Sequence, residues 1–348
     1  MFERATADGF FHSADYLINS YGCAGGSSCL IIGSGPSFKN SGTWLGKQCQ
    51  TRGVVPFSIN WGGYISPDTW SIYPRVWTAY DNCDKFSAQL FRDPSVVKFV
   101  NKARAIEYIY GKKYVAHECP SVFFFDPKEK SYSNFFGSGP IVDSKDSLIQ
   151  AIDIAIRLGF KHISLAGCDL YVPLSPEQFA YMHDHIDALP PDPTTNQKER
   201  FSEADPDNSL WSAITEIAKN ENRQPADVIQ DIEKLPSRDL YYFGDVGVSF
   251  AKKVMVDHHC FTTANWLRQS RRCLDSLGVH VHLVFGANDP NSRLSKIFPW
   301  GHLKTGLTVK GSPDYTADPA GIARNLPPYR KQTKTAFPEF TGDSDAKR

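Results

Sequence analysis

Three consecutive residues, Asp257, His258 and His259, put a carboxylate beside two imidazoles, the combination that general acid–base chemistry uses near neutral pH. Read as the opening of a helix, the run places both rings at the positive end of the helix dipole. Protonation is disfavoured there, which leaves a neutral imidazole to act as a base while Asp257 orients one ring. The same run would also serve as an ordinary helix cap. A second group, His183 and His185 with Asp184 and Asp187, has donors for a divalent metal when joined by Asp169. An H-x-H in a solvated segment needs no metal, and no metal site is assigned to it.

The turn Gly33-Ser34-Gly35-Pro36-Ser37 has the composition of a phosphate-facing loop. It follows the apolar run Cys29 to Ile32, which suits a strand buried on both faces. Its glycines let the backbone approach a ligand, while Pro36 removes one amide donor. Neither common phosphate loop is present: GxxxxGK[ST] is absent, and Phe38 stands where a dinucleotide-binding turn has its third glycine. Turns of Gly and Ser also join strands to helices with no phosphate nearby, so this one alone fixes no ligand. Other polar residues fall at predicted strand ends: Asn60, Asp81, and Asp169 with Tyr171. Ligands of open parallel sheets bind at the carboxyl edge, so these positions converge with the turn and with the Asp-His-His run.

The elements that must position these residues follow from periodicity. Val54 to Asn60, Val76 to Tyr80, Ala105 to Tyr110 and Ser121 to Phe125 read as short strands bounded by Gly, Pro or Asp. Apolar residues at 148, 149, 152, 155 and 156 predict an amphipathic helix over Ser144 to Leu158, capped by Ser144 or Ser147 and ended by Gly159. The stretch Lys161 to Asp169 is the next strand. Prolines crowd the region 171–253, which holds one helix-like stretch, Leu210 to Lys219, and reads as an inserted lid or acceptor subdomain. The core resumes at Val254, with a helix from Phe261 to Leu277, a stop at Gly278 and a strand from Val279 to Phe285. The expected fold is α/β: a Rossmann-like, doubly wound, mostly parallel sheet with an inserted lid subdomain. Residues 1–28 form an N-terminal extension, 29–170 and 254–298 the nucleotide-binding core, and 299–348 a polar tail expected to be disordered near Gly342.

Composition narrows the function classes. The chain has 348 residues, with Lys+Arg and Asp+Glu equal at 38 each, so no global field exists to hold a polyanion. A nucleic-acid partner would need a local strip, such as Arg268, Arg271 and Arg272 with Arg324, Arg330, Lys331 and Lys334; a solvated face is the simpler reading of these. Eight scattered cysteines without a CxxC pair read as reduced thiols of a cytoplasmic protein. No apolar N-terminal segment and no run of 18 apolar residues is present, so secretion and membrane spanning are not expected.

The strand ending in GxGPS, the Asn after the second strand, the block Gly159-Phe160-Lys161-His162-Ile163-Ser164-Leu165-Ala166-Gly167-Cys168-Asp169-Leu170-Tyr171 and a later His in a helix-strand unit together resemble the bacterial sialyltransferases of glycosyltransferase family 42. They also resemble the related DUF115 proteins, which include motility-associated glycosylation factors and archaeal 6-hydroxymethylpterin diphosphokinases. The resemblance covers roughly residues 29–298 without the insert, and the block around Asp169 is its most specific part. It implies a GT-A-like variant of the fold. Gly33, Ser34, Gly35, Pro36 and Ser37 would hold the nucleotide, Asn60 would contact nucleotide and phosphate, Ser147 would lie near the base, and Asp169 would stand at the same edge. Tyr171 would hydrogen-bond the leaving phosphate, and His258 or His259 would be the general base. Ser34 departs from the Asn usual in the sialyltransferases, and the insert is longer than theirs, which opens the identity of both sugar and acceptor.

The reading that results is an inverting glycosyltransferase using a nucleotide-sugar donor, with a CMP-sugar as the first expectation, a carbohydrate or other hydroxyl acceptor, and no required cofactor. A rival on the same fold is a pterin-type diphosphokinase, in which Asp81, Asp84 and Asp169 would hold Mg²⁺ and ATP. Asp81 can equally be the Asx turn that often ends a strand. A transferase acting on a modified DNA base and a non-catalytic nucleotide-binding protein are further alternatives, and a homo-oligomer is left open.

Overall fold

The computed structural model describes residues 3–6, 9–12, 28–35, 37, 42–60, 62, 72, 74–81, 83, 86, 90–91, 93, 96–104, 122–128, 140–187, 209–236, 249–290 and 292–303. In chain order its elements are β1 (Glu3–Thr6), β2 (Gly9–His12), β3 (Ser28–Ile32), α1 (Gly42–Arg52), β4 (Val55–Ile59), β5 (Val76–Ala79), β6 (Val97–Asn101), β7 (Val122–Phe125), α2 (Ser147–Arg157), β8 (His162–Ala166), α3 (Pro176–Asp187), α4 (Leu210–Asn220), α5 (Pro225–Glu233), α6 (Phe250–Ser276), β9 (His280–Val284), a 3-10 turn (Arg293–Lys296) and β10 (Trp300–Gly301).

The apolar run of β3 sits in the middle of one sheet ordered β10-β9-β8-β3-β4-β5-β6-β7-β1-β2. Strands β3 to β10 are mutually parallel, and the antiparallel hairpin β1–β2 is added to the β7 edge. Alternate residues of β3 feed two cores. Cys29 and Ile31 pack with Phe57, Phe99, Ile152 of α2 and Leu267 of α6, whereas Leu30 and Ile32 pack with Leu45 and Cys49 of α1. Helices on both faces of a parallel sheet define the doubly wound α/β class. From β3 the chain builds outward to β7; α2 then carries it back across to β8 on the other side of β3. The strand order therefore reverses between β3 and β8, where the two chain directions leave a crevice.

Several sequence expectations need correction. The cap of α2 is Asp146, whose carboxylate accepts from the Leu148 and Ile149 amides at 2.8 and 3.0 Å, and neither Ser144 nor Ser147 takes that role. The expectations omit β6, because Lys98 breaks its apolar run; the side chain is fully buried and its ammonium donates to the Asp93 carbonyl. The expected strand Ala105 to Tyr110 lies outside the described residues, as do residues 304–348 and their expected disorder. What they do describe of the tail adds an edge strand, with Trp300 and Gly301 registered against Leu283 and Val284.

The described residues of the region 171–253 form α3, α4 and α5, which share an apolar core of their own. That core takes in Phe250 and Val254, so α6 starts at Phe250 and the expected boundary at 254 cuts through a helix. The 27 residues of α6 span about 40 Å. Its first turns belong to the helical subdomain and its later turns, with Ala264, Leu267 and Leu274, belong to the sheet. Where it passes between the two cores, Asp257 is fully buried against Arg293 of the 3-10 turn at 2.7 Å. The same carboxylate accepts from the Leu210 amide at the start of α4, and Arg293 donates to the Leu170 carbonyl beyond β8. One ion pair thus fixes α6, α4 and the β8 loop together. No helix among the described residues is long and apolar enough to cross a membrane. Replacing Asp257 by Ala would strand a buried guanidinium, and urea unfolding is expected to register a loss of about 3–5 kcal/mol. Pairing it with Arg293→Met should recover part of that loss.

Candidate functional site

At the switch point the turn after β3 is zipped to the loop after β8. The Gly33 amide donates to the Ala166 carbonyl and the Gly35 amide to the Gly167 carbonyl, both at 2.8 Å. A methyl group on Gly33 would stand 2.3 Å from the Gly167 oxygen, and one on Gly35 would stand 2.5 Å from the Asp169 carboxylate. These glycines are required by strand-to-strand packing. Their amides, expected to face phosphate, are taken by β8 carbonyls. Asp169 completes the zipper. Its Oδ2 accepts from the Ser37 amide at 3.0 Å, and its Oδ1 accepts from the Ser37 hydroxyl at 2.7 Å and from the Asp289 amide at 2.9 Å. The carboxylate is 1% exposed. Burial raises its pKa, and the three donors oppose that rise. Asp169 therefore clamps the loops beyond β3, β8 and β9 and is not offered to a ligand. Pro36 lies outside the described residues.

Beside this zipper is a cavity of about 510 Å³ whose wall includes Gly33, Ser34, Gly35, Asn60, Ser147, Tyr171 and His259 from the expected set. Asp81, expected for the rival reading, lies in the same wall, and the structure adds Tyr80, Lys145, Asp146, Val256 and Cys260. A short chain of hydrogen bonds sets the polarity of one wall. The Tyr80 amide donates to the Ser147 hydroxyl at 2.9 Å, which leaves that hydroxyl to donate to Asn60 Oδ1 at 2.9 Å. Asn60 is thereby oriented, and its Nδ2 has no partner among the described residues. Lys145 adds an exposed ammonium with no partner among them. The Arg104 guanidinium lies 4.4 Å over the Tyr80 ring. Asn60, Lys145 and Leu170 all carry a positive φ, of 51°, 55° and 51°. For Lys and Leu this conformation is uncommon and costs roughly 1–3 kcal/mol. Such strain collects where a backbone is held for a purpose, and here all three residues line one cavity.

The catalytic expectation changes most. Both histidines lie well past the first turn of α6, beyond the reach of its N-terminal dipole. His258 is exposed, stacks against Phe261 and is not in the cavity wall. Asp257 orients neither ring, being consumed by Arg293 and Leu210. His259 does line the cavity, and its partner is a residue the sequence reading used for no role. His259 Nε2 lies 3.0 Å from Asp146 Oδ2, which also accepts from the Thr263 hydroxyl at 3.0 Å. That bond, more than the opposing effect of burial, holds the His259 pKa above its ordinary value. With Nε2 committed to Asp146, Nδ1 has no partner among the described residues and can accept a proton. Cys260 beside it is no nucleophile, because burial pushes its thiol up to about 12.

Tyr171 departs from its expected role: its hydroxyl donates to Asp289 Oδ2 at 2.6 Å. His183 and His185 lie on α3, where His185 Nδ1 meets the Tyr181 carbonyl at 2.8 Å. Among the described residues no group of His, Cys, Asp and Glu is placed to hold a metal ion. Asp84 lies outside them.

The fold and site define a doubly wound α/β protein with a polar cavity at its topological switch point and a His–Asp pair in the cavity wall. Comparison with protein-family models, curated proteins and solved structures finds no match, so the geometry carries the functional argument.

NMR titration of the imidazole should place His259 above the ordinary value of 6.5 and Asp146→Asn should bring it down. The sign for stability follows: the His259–Asp146 interaction stabilises the fold fully below the ordinary His range and loses that contribution as pH rises through the raised pKa. Gly35→Ala should press on Asp169 and the Gly167 carbonyl, costing about 1–3 kcal/mol in thermal or urea unfolding.

Proposed function

We propose that the chain is an inverting glycosyltransferase that binds a nucleotide-sugar in the switch-point cavity and uses His259 as its general base. The observation that carries this reading is the His259–Asp146 pair in a wall that also bears the Lys145 ammonium and the oriented Asn60 amide. In the proposed reaction His259 Nδ1 takes the proton of an acceptor hydroxyl and the acceptor oxygen attacks the anomeric carbon. The bond from that carbon to the phosphate oxygen breaks, and the nucleotide leaves with the electron pair. Asp146 stabilises the imidazolium formed, as an orienting carboxylate does for a catalytic His. Lys145 and Asn60 Nδ2 are suited to the charge that develops on the departing phosphate, the role expected of Tyr171 from the resemblance. A CMP-sugar is the first donor to test, because the resemblance points to it.

Asp81 in the same wall supports a second reading, a Mg²⁺- and ATP-dependent diphosphokinase. A thermal-shift panel of CMP, CDP, UDP, GDP, ADP and ATP, each with and without Mg²⁺, separates the two. A ligand at a hundredfold excess over Kd adds about 2.7 kcal/mol of apparent stability. Stabilisation by CMP without metal is the expected result, and stabilisation by ATP only with Mg²⁺ would transfer the assignment to the diphosphokinase. In a transfer assay His259→Ala should lower kcat by about 10²–10⁴-fold while His258→Ala stays near the unmodified protein. Full activity in His259→Ala would remove the base assignment.

A further inference from the structure

We propose that Thr263 is a positioning residue that limits how firmly Asp146 holds a proton on His259. The two α6 side chains are one helical turn apart and meet the same carboxylate oxygen: the Thr263 hydroxyl donates to Asp146 Oδ2 at 3.0 Å, and His259 Nε2 lies 3.0 Å from that oxygen. Asp146 Oδ1 is taken by the Leu148 and Ile149 amides at 2.8 and 3.0 Å. An ionised carboxylate offers about four acceptor positions, so these four groups fill it, and what one donor takes is withheld from the others.

Thr263 departs from the habit of its own helix. A helical Thr commonly turns its hydroxyl back to the carbonyl four residues earlier. Thr262 does so, donating to the His258 carbonyl at 2.9 Å. Thr263, 2% exposed, reaches across to the start of α2 instead. The His259 ring is half-exposed, so it exchanges protons with solvent while the hydroxyl that acts on its partner stays inside.

The positive end of the Thr263 O–H dipole points at the oxygen that an imidazolium would use. It draws carboxylate charge toward itself and opposes a second positive charge beside it. The other titratable groups of the same cavity wall are Lys145 beside Asp146, Tyr80 and Asp81 after β5, Tyr171 after β8 and Cys260 next in α6. Asp81 also favours the protonated ring. A change confined to the Thr263 hydroxyl leaves all of these in place. A general base must be neutral to work, and a carboxylate that gripped the imidazolium without competition would leave less neutral ring near pH 7. That consequence rests on the reading of His259 as the base of a glycosyltransferase; the effect on the ring does not.

The test follows the His259 ring by NMR in the full chain, its signal assigned by loss in His259→Gln, and compares Thr263→Val, Thr263→Ala and Thr263→Ser. Both hydroxyl-free variants should raise the titration midpoint of the ring by about 0.5–1 pH unit, and Thr263→Ser should stay with the unmodified chain. Val keeps the shape of the side chain and Ala removes any crowding, so either one, folded, gives the reading. In an Asp146→Asn background Thr263→Val should shift nothing, because the hydroxyl acts through that carboxylate. A merely structural Thr263 would lower the thermal midpoint and leave the ring where it is. An unchanged or lowered ring midpoint in the hydroxyl-free variants overturns the proposal, as does an equal rise in the Asp146→Asn background. In a transfer assay the acid limb of kcat should move alkaline together with the ring. A ring that moves while the limb stays would uphold Thr263 and remove His259 as the base; a ring that stays would retire Thr263 and leave the base assignment standing.

Discussion

One carboxylate sets the geometry of the sheet's carboxyl edge at the switch point. Asp169 is buried at the end of β8 and receives donors from the loops after β3 and β9, so three neighbouring strand ends are fixed by a single side chain. Burial alone would favour its neutral form, yet three donors favour the charged one. The carboxylate is tolerated in the interior because it is fully engaged. The glycine-rich turn belongs to the same device. Gly33 and Gly35 lack side chains because the clamp draws the turn to within contact of Gly167 and Asp169. A cavity whose wall includes Gly33, Asn60, Ser147 and His259 then lies beside the clamp.

The second constraint is α6, which crosses from the helical subdomain to the sheet as one rigid element. Its midpoint is pinned by the Asp257–Arg293 pair, and that pair also grips the carbonyl of Leu170, a residue in a strained left-handed conformation. A buried bidentate pair stabilises little in net terms, because desolvation offsets attraction, but it is strict about geometry. Strict geometry is what a cavity built from separate elements requires: His259 comes from α6, Asp146 from the start of α2, Tyr171 from the β8 loop and Asn60 from the end of β4.

How far the sequence discloses this depends on whether a signal is local. The β3, β8 and β9 runs and the α2 periodicity are local, and the doubly wound class follows from them. The start of α6 is hidden because its apolar face serves two cores in turn, Phe250 and Val254 facing one and Ala264 and Leu267 the other, with Asp257, His258 and His259 between. The His259–Asp146 pair is hidden for a different reason. Asp146 and His259 are 113 positions apart, and nothing in either neighbourhood names the other. The adjacency of Asp257 to the histidines suggests a partnership that helix geometry forbids, since neighbouring positions on a helix do not face each other. Lys145 is not legible either: its positive φ of 55° just before the capping Asp146 is a conformation that no neighbouring residue signals.

Asp146 joins structure and chemistry in one residue. Its Oδ1 caps α2 by taking two amide donors, and its Oδ2 takes His259 and Thr263. The N-terminus of a helix favours negative charge and disfavours an imidazolium, so the attraction for a protonated His259 comes from the Asp146 carboxylate against the helix field. A carboxylate held this way can stabilise the positive charge that His259 acquires on taking a proton while leaving the proton on the ring. The cap therefore cannot be lost without altering the partner of His259, and the stability of α2 and the protonation of His259 are coupled through one side chain.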